Sequence, residues 1–149
     1  MPLHGDYATP LPGWQADQLA EIDRTGDTRS VAVGGMQVVV LTIRGAKSGL
    51  LRRVPLMRIE HDGRYAAVAS KGGAPAHPQW YHSLVANPDI EIQDGTTSAD
   101  YVARELAGAE REQWWERCVA GFPPYAEYQT KTDRLIPVFV CEPASSPDA

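Results

Sequence analysis

Residues 54 to 70 read V-P-L-M-R-I-E-H-D-G-R-Y-A-A-V-A-S. Asp62-Gly63 is a dipeptide that readily takes the left-handed backbone of a two-residue hairpin turn, and short apolar runs flank it. A tight hairpin is therefore expected, with arms 54 to 60 and 64 to 70 around His61-Asp62-Gly63.

The pattern extends in both directions. Upstream, M-Q-V-V-V-L-T-I at 36 to 43 is dense in β-branched residues and reads as a buried strand, with Gly45 and Gly49 opening the loop after it. Trp14, Leu19 and Ile22 give a helical stripe over 14 to 25, which Gly26 and Asp27 should end. Downstream, Gly72-Gly73-Ala74-Pro75 forms a loop, and Pro78 suits the first residue of a short helix through Trp80, Tyr81, Leu84 and Val85, closed by Asn87-Pro88. A second hairpin is expected from strands 90 to 93 and 98 to 106 about Asp94-Gly95. Residues 109 to 119 read as a helix, Pro123-Pro124 break it and start a further helical turn through Tyr125 and Tyr128, and 136 to 141 is a last strand. Strands thus join mainly through hairpins, with helices inserted between pairs. The expected fold class is α+β: a mostly antiparallel sheet of five or six short strands closing into a small barrel with short flanking helices.

At 149 residues, with 43% apolar and 22% charged residues, the chain suits a single domain spanning 1 to 149. Residues 1 to 12 and 143 to 149 are proline-containing and expected to be loose. Cys118 and Cys141 form neither a C-x-x-C nor a zinc spacing, which fits a reducing cytoplasm. The start, M-P-L-H-G-D, has no export signal, and the longest apolar run, 38 to 41, is far too short for a bilayer span.

Net charge is −5, which argues against a general nucleic-acid binder. Between residues 44 and 71, however, seven basic residues (Arg44, Lys47, Arg52, Arg53, Arg58, Arg64, Lys71) face two acids (Glu60, Asp62). A local cationic patch on an acidic body suits a small anionic ligand, although a solvated strand face would show the same clustering. Two glycine-flanked basic segments carry it: R-G-A-K-S-G-L-L-R-R at 44 to 53 and V-A-S-K-G-G at 68 to 73. Glycines let backbone N–H groups approach a phosphate, lysine adds a point charge and arginine a fork of donors. The first segment is not a P-loop, because the places one and six residues before Lys47 hold Ala46 and Leu41 instead of glycine. His77 and His82 have the wrong spacing for a metal-binding helix face, and G-x-S-x-G and G-x-G-x-x-G are both missing. Without a nucleophile or metal, the chemistry would come from a bound cofactor. Trp80, Tyr81 and His82 could stack on a planar ring, and Phe122, Tyr125 and Tyr128 could cover one; ordinary packing is the alternative for both sets.

The order L-T-I-R-G-A-K-S-G, R-V-P-L-M, V-A-S-K-G-G-A-P-x-x-P-x-W-Y-H-x-L-V-A-N-P, F-P-P-Y-A-E-Y-Q and I-P-V, spread over residues 39 to 140, resembles the deazaflavin-dependent nitroreductase family. The resemblance implies a split β-barrel and an oxidoreductase using coenzyme F420, with an FMN-binding split barrel or a non-catalytic deazaflavin-binding protein as alternatives. It implies that Ala46, Lys47, Ser48, Arg52, Arg53, Val54, Pro55, Leu56 and Met57 hold the cofactor's phosphate and acidic tail. Val68, Ala69, Ser70 and Lys71, with Gln79, Trp80, Tyr81, His82 and Ser83, would line its ribityl chain and ring. Tyr125 would close over the ring, with Tyr125 and Ser70 as candidate proton donors and Phe122, Tyr125 and Tyr128 around the substrate. The acceptor would be an electron-poor small molecule such as a quinone, enone or nitroaromatic. Phe122 stands where the nitro-reducing member has a third lid tyrosine, which favours a quinone-type acceptor. Split barrels often pair, so a homodimer is compatible with the resemblance, as is a cytoplasmic protein lying against a membrane.

Overall fold

A computed structural model describes residues 6–7, 14–33, 36–70 and 77–144. In chain order the elements are α1 (Trp14–Thr25), a 3₁₀ turn (Thr28–Ser30), β1 (Ala32–Val33), β2 (Met36–Arg44), β3 (Leu51–Met57), β4 (Glu60–His61), β5 (Arg64–Val68), α2 (Gln79–Ala86), β6 (Asp89–Asp94), β7 (Thr97–Glu105), α3 (Gly108–Gly121), α4 (Pro124–Thr130) and β8 (Val138–Pro143). All ladders between strands are antiparallel. The sheet runs β3-β2-β6-β7-β8-β5-β4, with β1 sharing an edge of β2 with β6. Its far strands β3 and β5 approach each other without a shared ladder, leaving the seam of a split barrel. This is the α+β architecture expected from the hairpin pattern.

The apolar run of β2 does not alternate with polar residues because both of its faces are covered. Val39, Leu41 and Ile43 join Leu84 of α2, Ile90, Ile92 and Phe139 in one core, while Val38 and Val40 pack with Leu19 and Ile22 of α1. β5 and β8 divide similarly. Tyr65, Ala67, Phe139 and Cys141 face the first core, and Ala66, Val68, Val138 and Val140 face a second one under α3 and α4 with Trp114, Cys118 and Tyr125. Both cysteines are buried and unpaired.

The 54-to-70 hairpin forms, but shorter than expected. Asp62 and Gly63 have φ of 54° and 78°, the two left-handed residues of a type I′ turn. Only Glu60 and His61 ladder with β5, extended by an Ala66 N–H to Ile59 carbonyl bond of 2.9 Å. Residues 51 to 57 pair instead with β2, and β5 pairs along its length with β8. The chain turns a corner at Arg58 and Ile59. There the Arg58 N–H donates to Gln37 (2.9 Å), its guanidinium reaches Asp94, and Ile59 enters the second core. The second hairpin turns one residue later than read, on Gly95-Thr96, since Asp94 still pairs with Thr97. Of the ends expected to be loose, Asp6 and Tyr7 lie against Leu51 of β3, and β8 runs through Pro143. Among the described residues no helix is long and apolar enough to cross a membrane.

Candidate active site

The strand β2 ends in a loop that closes on itself. Gly45 N–H donates to Leu50 carbonyl (2.8 Å), Gly49 N–H to Gly45 carbonyl (3.1 Å), and Leu50 N–H to Ser48 Oγ (3.1 Å). The turn is tight enough that a Cβ on Gly45 would come within 2.7 Å of Ser48 Oγ. α2 buttresses it: Asn87 Nδ2 donates to Arg44 carbonyl (3.2 Å), and Ala46 N–H points at Ser83 Oγ (3.4 Å). The N–H groups of Lys47 and Ser48 have no protein partner among the described residues, so they remain available to an anion.

This loop forms one end of a cleft of about 1660 Å³ walled by β3, the end of β5, α2, α1 and α4. Eighteen of the residues named by the resemblance line it: Ala46, Lys47, Ser48, Arg52, Arg53, Val54, Pro55, Leu56, Met57, Val68, Ser70, Gln79, Trp80, His82, Ser83, Phe122, Tyr125 and Tyr128. Two do not. Ala69 is wholly buried, and Tyr81 turns from the cleft to pack on Phe139 and donate to Glu105 (3.1 Å). Both hold the wall from behind, because neighbours along a strand or helix point in different directions. Lys71 and the Gly72-Gly73 loop lie outside the described residues.

The cationic patch divides on folding. Lys47, Arg52 and Arg53 reach the cleft, and among the described residues only Arg53 has an acidic partner there, Asp23 of α1 at 2.6 and 2.8 Å. Arg58 pairs with Asp94 and Arg64 with Glu142, away from the cleft. Arg44 donates to Gly49 carbonyl (2.7 Å) and braces the loop. At the other end Phe122, Tyr125 and Tyr128 form one aromatic group, with ring centroids 4.9 Å apart for Phe122–Tyr125 and 6.2 Å for Tyr125–Tyr128. Burial raises the Tyr125 phenol well above its ordinary value, so its proton is held throughout the neutral range.

The cleft also contains residues that the sequence did not place in the site, among them Tyr7, the α1 residues Ala16, Gln18 and Leu19, and His77, weighed from sequence only as a metal ligand. The helical stripe of α1 marked Leu19 as core, but nothing in it shows which neighbour of the stripe faces a cleft. His77 accepts on Nδ1 from Arg134 (3.0 Å), a partner 57 residues away, and stacks on Tyr81 at 4.3 Å. Among the described residues no group of three or more His, Cys, Asp or Glu could hold a metal ion. An acidic, phosphate-bearing cofactor with a flat ring fits this donor set: N–H groups and cations without partners among the described residues at one end, apolar and aromatic walls at the other.

A split barrel with these two ends is the architecture of a cofactor-dependent oxidoreductase. The chain belongs to the F420H(2)-dependent quinone reductase family, whose model matches residues 16–143. An F420H(2)-dependent quinone reductase of Mycobacterium tuberculosis is 34% identical over 110 residues, covering 72% of this chain and 74% of the relative. A putative F420H(2)-dependent quinone reductase of the same organism is 34% identical over 105 residues, covering 70% and 88%. Among solved structures, an F420-H2 dependent reductase is 60% identical with a TM-score of 0.67, covering 70% of this chain and 93% of that one. A domain-swapped dimer is 55% identical with a TM-score of 0.71, covering 85% and 96%. The protein is thus an oxidoreductase whose cofactor is coenzyme F420. The resemblance read from residues 39 to 140 agrees in cofactor and fold; the matching family is named for quinones where the resemblance named nitro compounds.

Proposed function

We propose that the protein transfers a hydride from reduced coenzyme F420, bound along the cleft, to a quinone held under the aromatic lid. The observation that carries this reading is the convergence, in one cleft, of the 45-to-50 loop with Lys47 and Arg52, the wall of β5 and α2, and the lid residues Phe122, Tyr125 and Tyr128. When bound, the reduced deazaflavin supplies the hydride from its C5. The loop N–H groups with Lys47, Arg52 and Arg53 hold the phosphate and acidic tail, each desolvated charge-assisted bond contributing about 1.5 to 3 kcal/mol. Val68, Ser70, Trp80 and His82 orient the ring, and the lid excludes water from the reacting face. A quinone needs a proton as its oxygen gains charge, and the Tyr125 hydroxyl, with Ser70 as the second candidate, supplies it. Phe122 adds apolar area but no third hydroxyl, which favours a quinone over an enone or a nitroaromatic. Pairing of two copies belongs to the same reading, supported by the domain-swapped relative, as does a cytoplasmic location.

The test is a fluorescence titration of the apo-protein with F420 and with FMN, followed by reduced F420 with menadione, an enone and a nitroimidazole. F420 is expected to bind and menadione to be reduced fastest. Tight FMN binding without F420 binding would overturn the cofactor site. A bound, reduced F420 that every acceptor leaves unoxidised would make the protein a carrier.

A further inference from the structure

Arg134 precedes β8 and spans three pieces of the cleft wall. Its NH1 donates to Ala69 carbonyl (3.1 Å) and its NH2 to Ser70 carbonyl (2.8 Å), fixing the strand end that Ser70 presents to the cleft. NH1 also lies 3.0 Å from His77 Nδ1. A guanidinium has only donors, so this contact is a hydrogen bond only when Nδ1 is bare. The ring proton must then sit on Nε2, and a doubly protonated imidazole would turn an N–H toward a cation. Nε2 has no partner among the described residues, and His77 lines the cleft. Gln129 of the lid helix α4 holds the same segment, donating to Arg134 carbonyl (2.8 Å) and accepting from Ile136 N–H (3.0 Å).

We propose that Arg134 is a positioning residue that locks His77 as a neutral Nε2–H donor on the cleft wall, aimed at a carbonyl oxygen of the bound cofactor or of the acceptor. The charged and titratable groups around His77 support the neutral form. Its pKa is pushed below the ordinary histidine value by partial burial first, then by Arg134 and by His82 on α2, with Glu105 of β7 opposing; Tyr81, stacked on the ring, is itself neutral. The inference uses the proposed function only for the identity of the occupant; the lock itself is a property of the free protein.

Two measurements separate them. Imidazole nitrogen shifts of the cofactor-free protein should show His77 as the Nε2–H tautomer, titrating below about 6.5; in Arg134→Ala the midpoint should rise. An Nδ1–H tautomer, or an ordinary midpoint in the parent, overturns the lock whatever the cofactor proves to be. If the lock is found and F420 does not bind, the proposed function fails and the lock stands. In turnover with F420 and menadione, Arg134→Ala should lose several-fold in kcat/KM at pH 8, where the unlocked neutral ring can carry its proton on Nδ1 and leave Nε2 bare, and should recover toward pH 6, where the imidazolium carries an N–H on both nitrogens. His77→Gln, which keeps a donor, should retain most activity, and the double variant Arg134→Ala/His77→Gln should lose the pH dependence. A loss equal at every pH reduces Arg134 to a structural brace and overturns the proposal. His77→Phe assigns the carbonyl: weaker F420 binding places it on the cofactor, a raised KM for menadione places it on the acceptor, and neither change overturns the donor role. Should Arg134→Ala fail to fold, the nitrogen shifts of the parent and the His77 variants decide the matter.

Discussion

Lys47 and Arg52 stand out among the seven basic residues of the 44-to-71 stretch because folding leaves them in the cleft with no acidic partner among the described residues. Lys47→Ala and Arg52→Ala should each weaken F420 binding by about ten-fold, some 1.4 kcal/mol, while kcat at saturating cofactor stays near the parent value. Unchanged affinity in both would place the anion elsewhere. Tyr125 carries a different expectation. Tyr125→Phe should leave F420 affinity alone and lower kcat with menadione by about 10²-fold, the scale of a lost general acid; full activity would pass the proton role to Ser70. Much of this was legible from the residues themselves, since lysine and arginine beside glycines are what an acidic ligand needs. What no local pattern distinguishes is Arg52 from Arg58. Both are basic residues of one stretch, yet Arg58 falls at the corner after β3 and is drawn to Asp94, 36 positions away. His77 escaped for a similar reason, as its meaning lies in Arg134.

The element that sets the anion site is the closed turn from Gly45 to Leu50. Gly49 there has φ of 71° and open space around its missing side chain, so Gly49→Ala costs only the backbone strain of a left-handed residue, about 1 to 2 kcal/mol. Thermal melts should show that loss, with a parallel loss of F420 affinity as the turn loosens; an unaltered Kd would separate the turn's shape from binding. Elements whose signals are local were readable: α1 spans the residues expected from its stripe, and Asp62-Gly63 makes the turn its dipeptide favours. The strand break at Arg58 and Ile59 was not. The run from 54 to 60 carries no turn residue at Arg58 or Ile59 that would mark a break, and the packing of Ile59 under α3 and α4 with the Arg58–Asp94 pair bends it away from β2. Helix boundaries at Pro78 and Pro123-Pro124 were clear because proline limits the backbone regardless of surroundings.

At the scale of the molecule, stability should fall on acidification in two stages. Below about pH 6.5 the unfolded chain's His77 takes up a proton that the folded site resists, so the unfolded state binds more protons and unfolding becomes easier as pH drops. Further down, carboxylates held below their usual range by arginine bonds, Asp23 by Arg53 and Glu110 by Arg104, lose their pairing as they are protonated. The sign is the same in both stages, and melting temperature against pH should show it; removing Arg134 should flatten the upper stage alone. The distribution of charge has one more consequence. The molecule is acidic, with net charge −5, while Lys47 and Arg52 sit at the cleft with no acidic partner among the described residues. An anionic cofactor is therefore repelled from most approaches and drawn along one, and capture becomes a matter of steering. Its association rate should rise steeply as ionic strength is lowered and the screening length grows beyond about 8 Å, while dissociation, governed by contacts already made, changes little. Stopped-flow binding at several salt concentrations would show whether the protein collects its cofactor by field as well as by fit.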